Sequence, residues 1–359
     1  MILRIGVVVA VLALAGCVGT RPPEPRAAQD QAQPAKPLDP EMAELLALLG
    51  PKGPPPGNLA NAALINIRQH SFQTVGRDAD PSVDGAGKRM VFASTAYSQR
   101  SNIYLKSVEG QSVTQLTTDP ASEIQPALSP DGKQVAFASN RSGTWDIYVM
   151  GIDGKSIRQV TNGGGDNLHP AWGPDGTRLV YCCRGLQSGQ WELWVVGLDA
   201  PEARQFIGQG VFPTWSPKED LIAYQRPRGR DKQLYGIWTV RLANGEPSLP
   251  TLVANSPDMA YVSPTFSSDG KRLAFTAVSS DLAEGPTDIY SVEVNGGSLQ
   301  QLTKGPGGKF SPTWVGDRIY FSLGRAGQEN IWSVQADTPG AVTASAQSSA
   351  DKAAADDGE

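Results

Sequence analysis

Between residues 65 and 335, short apolar runs recur between Gly-, Ser-, Asn- and Asp-rich clusters, and each run spans only four to six residues. Runs of that length, enriched in β-branched and aromatic residues and bounded by turn residues, predict strands rather than helices. The stretch Ser129 to Thr161 shows the unit. Pro130-Asp131-Gly132 is turn chemistry: proline presets φ, the aspartate side chain can bond the backbone two residues on, and glycine tolerates positive φ. Strands over Gln134–Ala138 and Trp145–Val149 follow, and Ile157–Thr161 makes another after Asp153-Gly154.

The unit repeats. Aligned on a proline that stands two residues before an apolar or aromatic position, the copies begin at Pro81, Pro126, Pro170, Pro213, Pro264 and Pro312, in steps of 45, 44, 43, 51 and 48 residues. Each proline is followed by a turn and a strand, from Lys88–Phe92 in the first copy to Arg318–Phe321 in the last, then by a third strand such as Asp146–Val149 or Asn330–Ser333. Six four-stranded units of about 45 residues predict an all-β fold, a six-bladed β-propeller over residues 58–335, because each blade hides two faces against its neighbours and closure removes the long edges. Closure needs one strand from the far end of the chain. Ile65–His70 is the expected outer strand of blade six; the competing source is Ala341–Thr343.

The run Ser129-Pro130-Asp131-Gly132-Lys133, followed by Val135-Ala136-Phe137, Ser139-Asn140-Arg141, Asp146-Ile147-Tyr148 and Arg158-Gln159-Val160-Thr161, resembles the propeller repeat of TolB, the periplasmic component of the Tol system. The turn recurs in phase as Pro174-Asp175-Gly176 and Ser268-Asp269-Gly270, and in worn form as Pro217-Lys218-Glu219 and Asp84-Gly85. The resemblance covers roughly residues 65–335 and implies a periplasmic scaffold for protein–protein interaction. The same repeat also occurs in prolyl-oligopeptidase propellers, and a fold does not fix a function. The α/β domain that precedes the propeller in TolB has no counterpart in the short segment ahead of the first strand.

The N-terminus predicts export. Arg4 precedes the apolar residues Ile5–Leu14, the length of a signal-peptide core and too short to span a bilayer as a helix. Residues 1–16 are therefore read as a signal peptide. Leu14-Ala15-Gly16-Cys17 resembles the bacterial lipobox, which implies cleavage before Cys17 and acylation of its thiol; two or more acyl chains anchor stably. Val18, rather than an acidic residue, follows Cys17, and by resemblance to Gram-negative sorting this favours the periplasmic side of the outer membrane, with inner membrane or cell surface as alternatives. Residues 17–57 form a Pro-, Ala- and Gln-rich linker interrupted by one short amphipathic helix, residues 40–49, capped by Asp39 and closed by Gly50 and Pro51. That helix is marginal alone and is expected to dock on the propeller or to serve as a partner-binding peptide. Residues 336–359, rich in Ala, Ser and Asp, predict a disordered tail.

Charge and chemistry narrow the function. The formal net charge is −5; the signal segment carries +1, residues 17–57 carry −1 and the tail −4, which leaves −1 for the propeller. Nucleic-acid binding needs clustered Lys and Arg, and the one local cluster, Arg226–Lys232, reads as a solvated hairpin of blade four. Two histidines, His70 and His169, cannot build a His-rich metal centre, and no cofactor or metal is expected. Cys182 and Cys183 are adjacent on a strand, where neighbours point to opposite faces; packed thiols and a vicinal disulfide are both possible readings. No nucleophile elbow, His-Glu-x-x-His or phosphate-binding glycine loop is present, so no enzyme is expected. Asp131, Asp175 and Asp269 recur with the turn and read as structural carboxylates.

Binding remains. The segments just before each repeat proline are expected to converge on one mouth of the axial channel, and they differ from copy to copy where the strands do not. They run over residues 78–80, 123–125, 166–169, 209–212, 261–263 and 309–311, and the candidate partner-binding residues are Asp78, Asp80, Glu123, Gln125, Asp166, Asn167, His169, Phe212, Tyr261 and Lys309. The expectation is a monomeric, non-catalytic envelope lipoprotein that docks an envelope protein, with a glycan-binding or polysaccharide-degrading module as the alternative. Oligogalacturonate lyases resemble the chain in blade pattern, whereas the metal-binding histidine cluster of that family has no counterpart here.

Overall fold

The computed structural model describes residues 67–336 apart from 164, 230, 231, 280–286 and 326. The signal peptide, Cys17, the helix at 40–49, the alternative closing strand Ala341–Thr343 and the tail beyond Ala336 lie outside the described residues.

Six antiparallel sheets form the six blades of a β-propeller, and among the described residues there is no helix. Blade one runs outward through Asp78–Val83, Arg89–Ser94, Asn102–Ser107 and Val113–Gln115. Blade two repeats the order with Glu123–Leu128, Gln134–Ser139, Asp146–Gly151 and Arg158–Gln159, and blade three with Asn167–Trp172, Arg178–Arg184, Trp191–Gly197 and Gln205–Gln209. Blade four uses Val211–Trp215, Leu221–Gly229, Lys232–Ala243 and Thr251–Ala254, and adds the two-residue strand Glu246–Pro247, which accounts for its longer repeat. Blade five comprises Met259–Phe266, Arg272–Ser279, Thr287–Glu293 and Gln300–Gln301. Second strands are buried on both faces, as in Arg89–Ser94 and Gln134–Ser139, because a sheet lies against each side.

The tight turns follow the expected chemistry. Ser129 Oγ donates to Asp131 Oδ1 at 2.6 Å, the Lys133 amide donates to the same oxygen at 3.0 Å, and Gly132 sits at φ 67°. Ser267, Asp269 and Gly270 repeat the arrangement. The serine bonds hold Asp131 and Asp269 below the usual carboxylate range, which makes them structural carboxylates.

Blade six takes Gly308–Val315, Arg318–Arg325 and Gln328–Gln335 from the end of the repeat array and its outer strand, Arg68–Gln69, from the N-terminal side. Arg68 pairs with Ser333 and Gln69 with Trp332. The amides of His70 and Ser71 then donate to the Ile331 carbonyl at 2.8 and 3.3 Å, the distances at which Val160 and Thr161 meet Ile147 in blade two and Leu302 and Thr303 meet Ile289 in blade five. Ser71 Oγ accepts the Ile331 amide at 2.9 Å, as Thr161 Oγ1 accepts Ile147 and Thr303 Oγ1 accepts Ile289. A segment from one end of the chain thus reproduces the local geometry of a covalently continuous blade. An apolar cluster of Met90, Phe92 and Tyr104 with Tyr320 and Ile331 joins blades one and six behind it.

Cys182 and Cys183 are two buried thiols rather than a disulfide, on the second strand of blade three. Burial pushes both upward, Cys183 to about 11, so neither is a thiolate at neutral pH.

Ser71→Ala strands the buried Ile331 amide and removes a bond to Asn330 Oδ1 at 3.2 Å, and is expected to cost about 1–3 kcal/mol. Arg68→Ala removes an exposed ion pair with Glu109 and should cost at most about 1 kcal/mol. Urea unfolding midpoints measure both, and equal small losses would contradict closure through Ser71.

Candidate functional site

Each innermost strand carries the repeat proline, and the residue before it holds a left-handed backbone. Asp80, Gln125, His169, Phe212, Ser263 and Ser311 have φ between 49° and 55°. The proline ring disfavours the right-handed helical conformation in the residue before it. The pairing register also slips there in all six blades. In blade two Ile124 faces Ala138 and Ala127 faces Ala136, so Gln125 and Pro126 together oppose Phe137. Two residues against one make a bulge, which re-aims a side chain. A non-glycine residue in this region costs of order 1–3 kcal/mol, and the surrounding sheets impose it six times. Two of the displaced amides find side-chain acceptors: His169 N donates to Gln125 Oε1 at 2.9 Å, and Ser263 N to Gln225 Oε1 at 2.7 Å.

The six re-aimed side chains lie at the floor of an axial cavity of about 530 Å³. Its wall continues through the six prolines and the residues after them to Val83, Leu128, Trp172, Trp215, Phe266 and Trp314, toward the face that carries the Pro-Asp-Gly turns. The residues one position before the floor, such as Ile124, Leu168 and Phe310, do not line it. On the floor Ser311 Oγ donates to Asp80 Oδ1 at 2.7 Å, Gln125 Nε2 lies 3.1 Å from His169 Nε2, and the His169 and Phe212 ring centroids are 3.7 Å apart. An amide N–H can only donate, so His169 Nε2 accepts and the imidazole carries its proton on Nδ1. Burial pushes His169 down to about 3, which keeps it neutral. Burial also raises the Asp80 carboxyl, against the opposing pull of Ser311 and Arg77.

The candidate residues divide. Asp80, Gln125, His169 and Phe212 come together on the cavity floor, with Ser263 and Ser311 completing the circle. Asp78, Glu123, Asn167, Tyr261 and Lys309, two positions earlier in their strands, are buried away from the cavity. Glu123 Oε2 accepts Thr117 Oγ1 at 3.1 Å and its Oε1 accepts Arg141 Nη2 at 3.2 Å. Asn167 Nδ2 donates to Asp146 Oδ1 at 3.0 Å. Lys309 Nζ lies 2.9 Å from Asp288 Oδ1 and donates to the carbonyls of Thr287, Gly305 and Gly307. Tyr261 packs on Phe275 with ring centroids 4.5 Å apart. Asp78 is fully buried and its carboxyl is raised by burial. Asp166, also buried, accepts the Trp145 amide at 3.2 Å. The aromatic wall beyond the prolines escaped the sequence reading as a lining, although its signal, an apolar residue two positions after every repeat proline, is the pattern on which the copies align.

The fold is that of a six-bladed propeller with an axial cavity. A profile of the TolB β-propeller domain matches residues 63–247, and the chain belongs to that family. No curated protein sequence matches it. Among solved structures, a putative TolB from Agrobacterium tumefaciens superposes with a TM-score of 0.57 at 19% identity, covering 76% of this chain and 97% of that one. TolB from Acinetobacter baumannii matches at TM-score 0.51 and 17% identity over 73% of this chain and 64% of its own. An oligogalacturonate lyase from Vibrio parahaemolyticus matches at 0.52 and 12% over 75% and 93%. At these identities the likeness is one of fold.

Both histidines are held neutral by burial, His70 at about 4 and His169 at about 3, so each withdraws stability as pH falls from about 6.5 toward those values. NMR of the imidazole nitrogens should find both rings neutral at pH 5.5; a ring titrating near 6.5 would contradict the burial. Lys309→Met removes the buried partner of Asp288 and is expected to cost about 3–5 kcal/mol in chemical denaturation, with a loss under about 1 kcal/mol counting against the ion pair.

Proposed function

We propose that this chain is a lipid-anchored, monomeric, non-catalytic protein of the periplasmic side of the outer membrane, whose propeller docks a protein partner over the mouth of the axial cavity. The supporting observation is the contrast at the cavity floor. Six residues share one backbone conformation, yet their side chains are a carboxylate, an amide, an imidazole, a phenyl ring and two hydroxyls. A rigid frame that repeats around chemistry that does not repeat is the arrangement of a recognition surface. Among the described residues, no group of three or more His, Cys, Asp or Glu is placed to hold a metal ion. The lipid anchor rests on the lipobox-like Leu14-Ala15-Gly16-Cys17.

A second reading, glycan binding, draws on the shared fold with the oligogalacturonate lyase and on exposed Phe206 of blade three, which meets the half-buried Trp194 edge to face at 5.5 Å. An apolar ring pair at a sheet surface can stack on a sugar.

A photo-crosslinking residue in place of Lys218, on the cavity rim, should capture a discrete envelope protein in cells, whereas the same residue in place of exposed Leu186, on a hairpin of blade three, should not. Identical products from both positions would sink the docking reading. Retention on an oligogalacturonate column that is lost in Phe206→Ala would replace it with the glycan reading.

A further inference from the structure

The six floor residues that support the docking reading also define a small-ligand chemistry of their own. Two charged residues line the cavity, Asp80 on the floor and Lys218 on the exposed rim. Arg77 is the cation acting on Asp80, but it does not line the cavity and its Nε lies 2.6 Å from the buried carboxylate of Glu329. The floor therefore presents to the cavity a carboxylate whose neighbouring cation, Arg77, stands outside the lining and is paired with Glu329.

The groups around that carboxylate favour one kind of ligand. Ser311 Oγ already occupies Asp80 Oδ1 at 2.7 Å, the Gln125 backbone amide also bonds the carboxyl, and the Ser263 hydroxyl stands on the same floor. Phe212, backed by the neutral ring of His169, offers an aromatic face to a cation. Above the floor the repeat prolines with Ala127 and Ala171 make an apolar collar suited to an alkyl stem. Anions meet Asp80 unfavourably. A calcium ion takes six or more oxygens, and among the lining residues there is one carboxylate. A guanidinium binds best in bidentate fashion, and one oxygen of Asp80 is engaged. An ammonium needs a single strong acceptor, hydroxyl oxygens and a π face.

We propose that the cavity floor binds a primary alkylammonium group, the chemistry of a lysine side chain, with the nitrogen on Asp80 and the Ser263 and Ser311 hydroxyls, and the alkyl stem in the proline collar. This binding belongs to the chain itself and stands or falls without a docking partner.

The test titrates the full-length chain with n-butylammonium chloride and follows the ring signals of His169 and Phe212 by NMR, with n-butanol, n-butylguanidinium and sodium chloride as matched probes. Saturable binding of n-butylammonium is expected, weakened about tenfold or more in Asp80→Asn and with no saturable response to n-butanol or sodium. Phe212→Leu, which keeps the carboxylate, should weaken n-butylammonium severalfold and serves if Asp80→Asn does not fold. The proposal is overturned if n-butylammonium fails to saturate, if n-butanol binds as tightly, if n-butylguanidinium binds more tightly, or if folded Asp80→Asn binds unchanged.

Discussion

A buried hydroxyl just after the outer strand holds each of four blades to itself, and three of them also to the next. Thr117, Thr161, Thr303 and Ser71 accept a third-strand amide in blades one, two, five and six. In the two middle cases the same hydroxyl donates to Asp146 or Asp288, and that aspartate meets an inner-strand residue of the following blade, Asn167 or Lys309. Thr117 reaches Glu123 of blade two directly. The third strand, the outer strand and the next inner strand are thus joined at one buried point. In blade four Asn255 follows the outer strand, and Gly236 stands where blades two and five carry Asp146 and Asp288; a Cβ on it would lie 3.0 Å from the Ala254 carbonyl oxygen, so backbone approaches backbone there. Ser71 matters most because its partners lie about 260 residues away, and the bond it makes is the one that turns a row of blades into a ring.

Closure constrains the axis. With six sheets fixed around it, each inner strand must bulge at its proline, and the residue before the proline is driven to positive φ whatever its side chain. The backbone cost is the same in every blade, so the side chains at these positions are released from any role in the strand ladder. That is how one repeated scaffold carries Asp80, Gln125, His169, Phe212, Ser263 and Ser311 into one cavity, with a carboxyl raised and an imidazole lowered by the same burial. The aromatic residues after the prolines do the opposite task. Trp172 donates its indole N–H to the Ala127 carbonyl of the neighbouring blade at 2.9 Å, and Arg178 lies over Trp215 at 4.8 Å, so they wedge blades together while walling the cavity.

The architecture was legible because the turn chemistry and the two-residue alternation recur six times, and the outer strand of blade six because Ile65–His70 occupies the phase a missing strand would have. The division of the site was not. Strand alternation puts residues two apart on one face, so Glu123 and Gln125, or Asn167 and His169, read as companions. The bulge breaks that alternation, leaving the earlier residue in the blade interface and turning the later one to the axis. Lys309 was hardest to place from sequence, since a lysine is seldom fully buried and becomes so here through Asp288 and the Thr287 carbonyl of the preceding blade, with the nearby Gly305 and Gly307 carbonyls completing its partners.

Hydrogen exchange at the Ile331 amide tests the central claim, that the N-terminal strand closes blade six as firmly as chain continuity closes the others. The amides of Ile147 and Ile289 occupy the same position in blades two and five. If the ring opens only as a unit, all three amides exchange at the rate of global unfolding and share its dependence on denaturant. Exchange of Ile331 markedly faster than Ile147 and Ile289, with little denaturant dependence, would mean that the strand detaches while the rest stays folded, and would contradict the account.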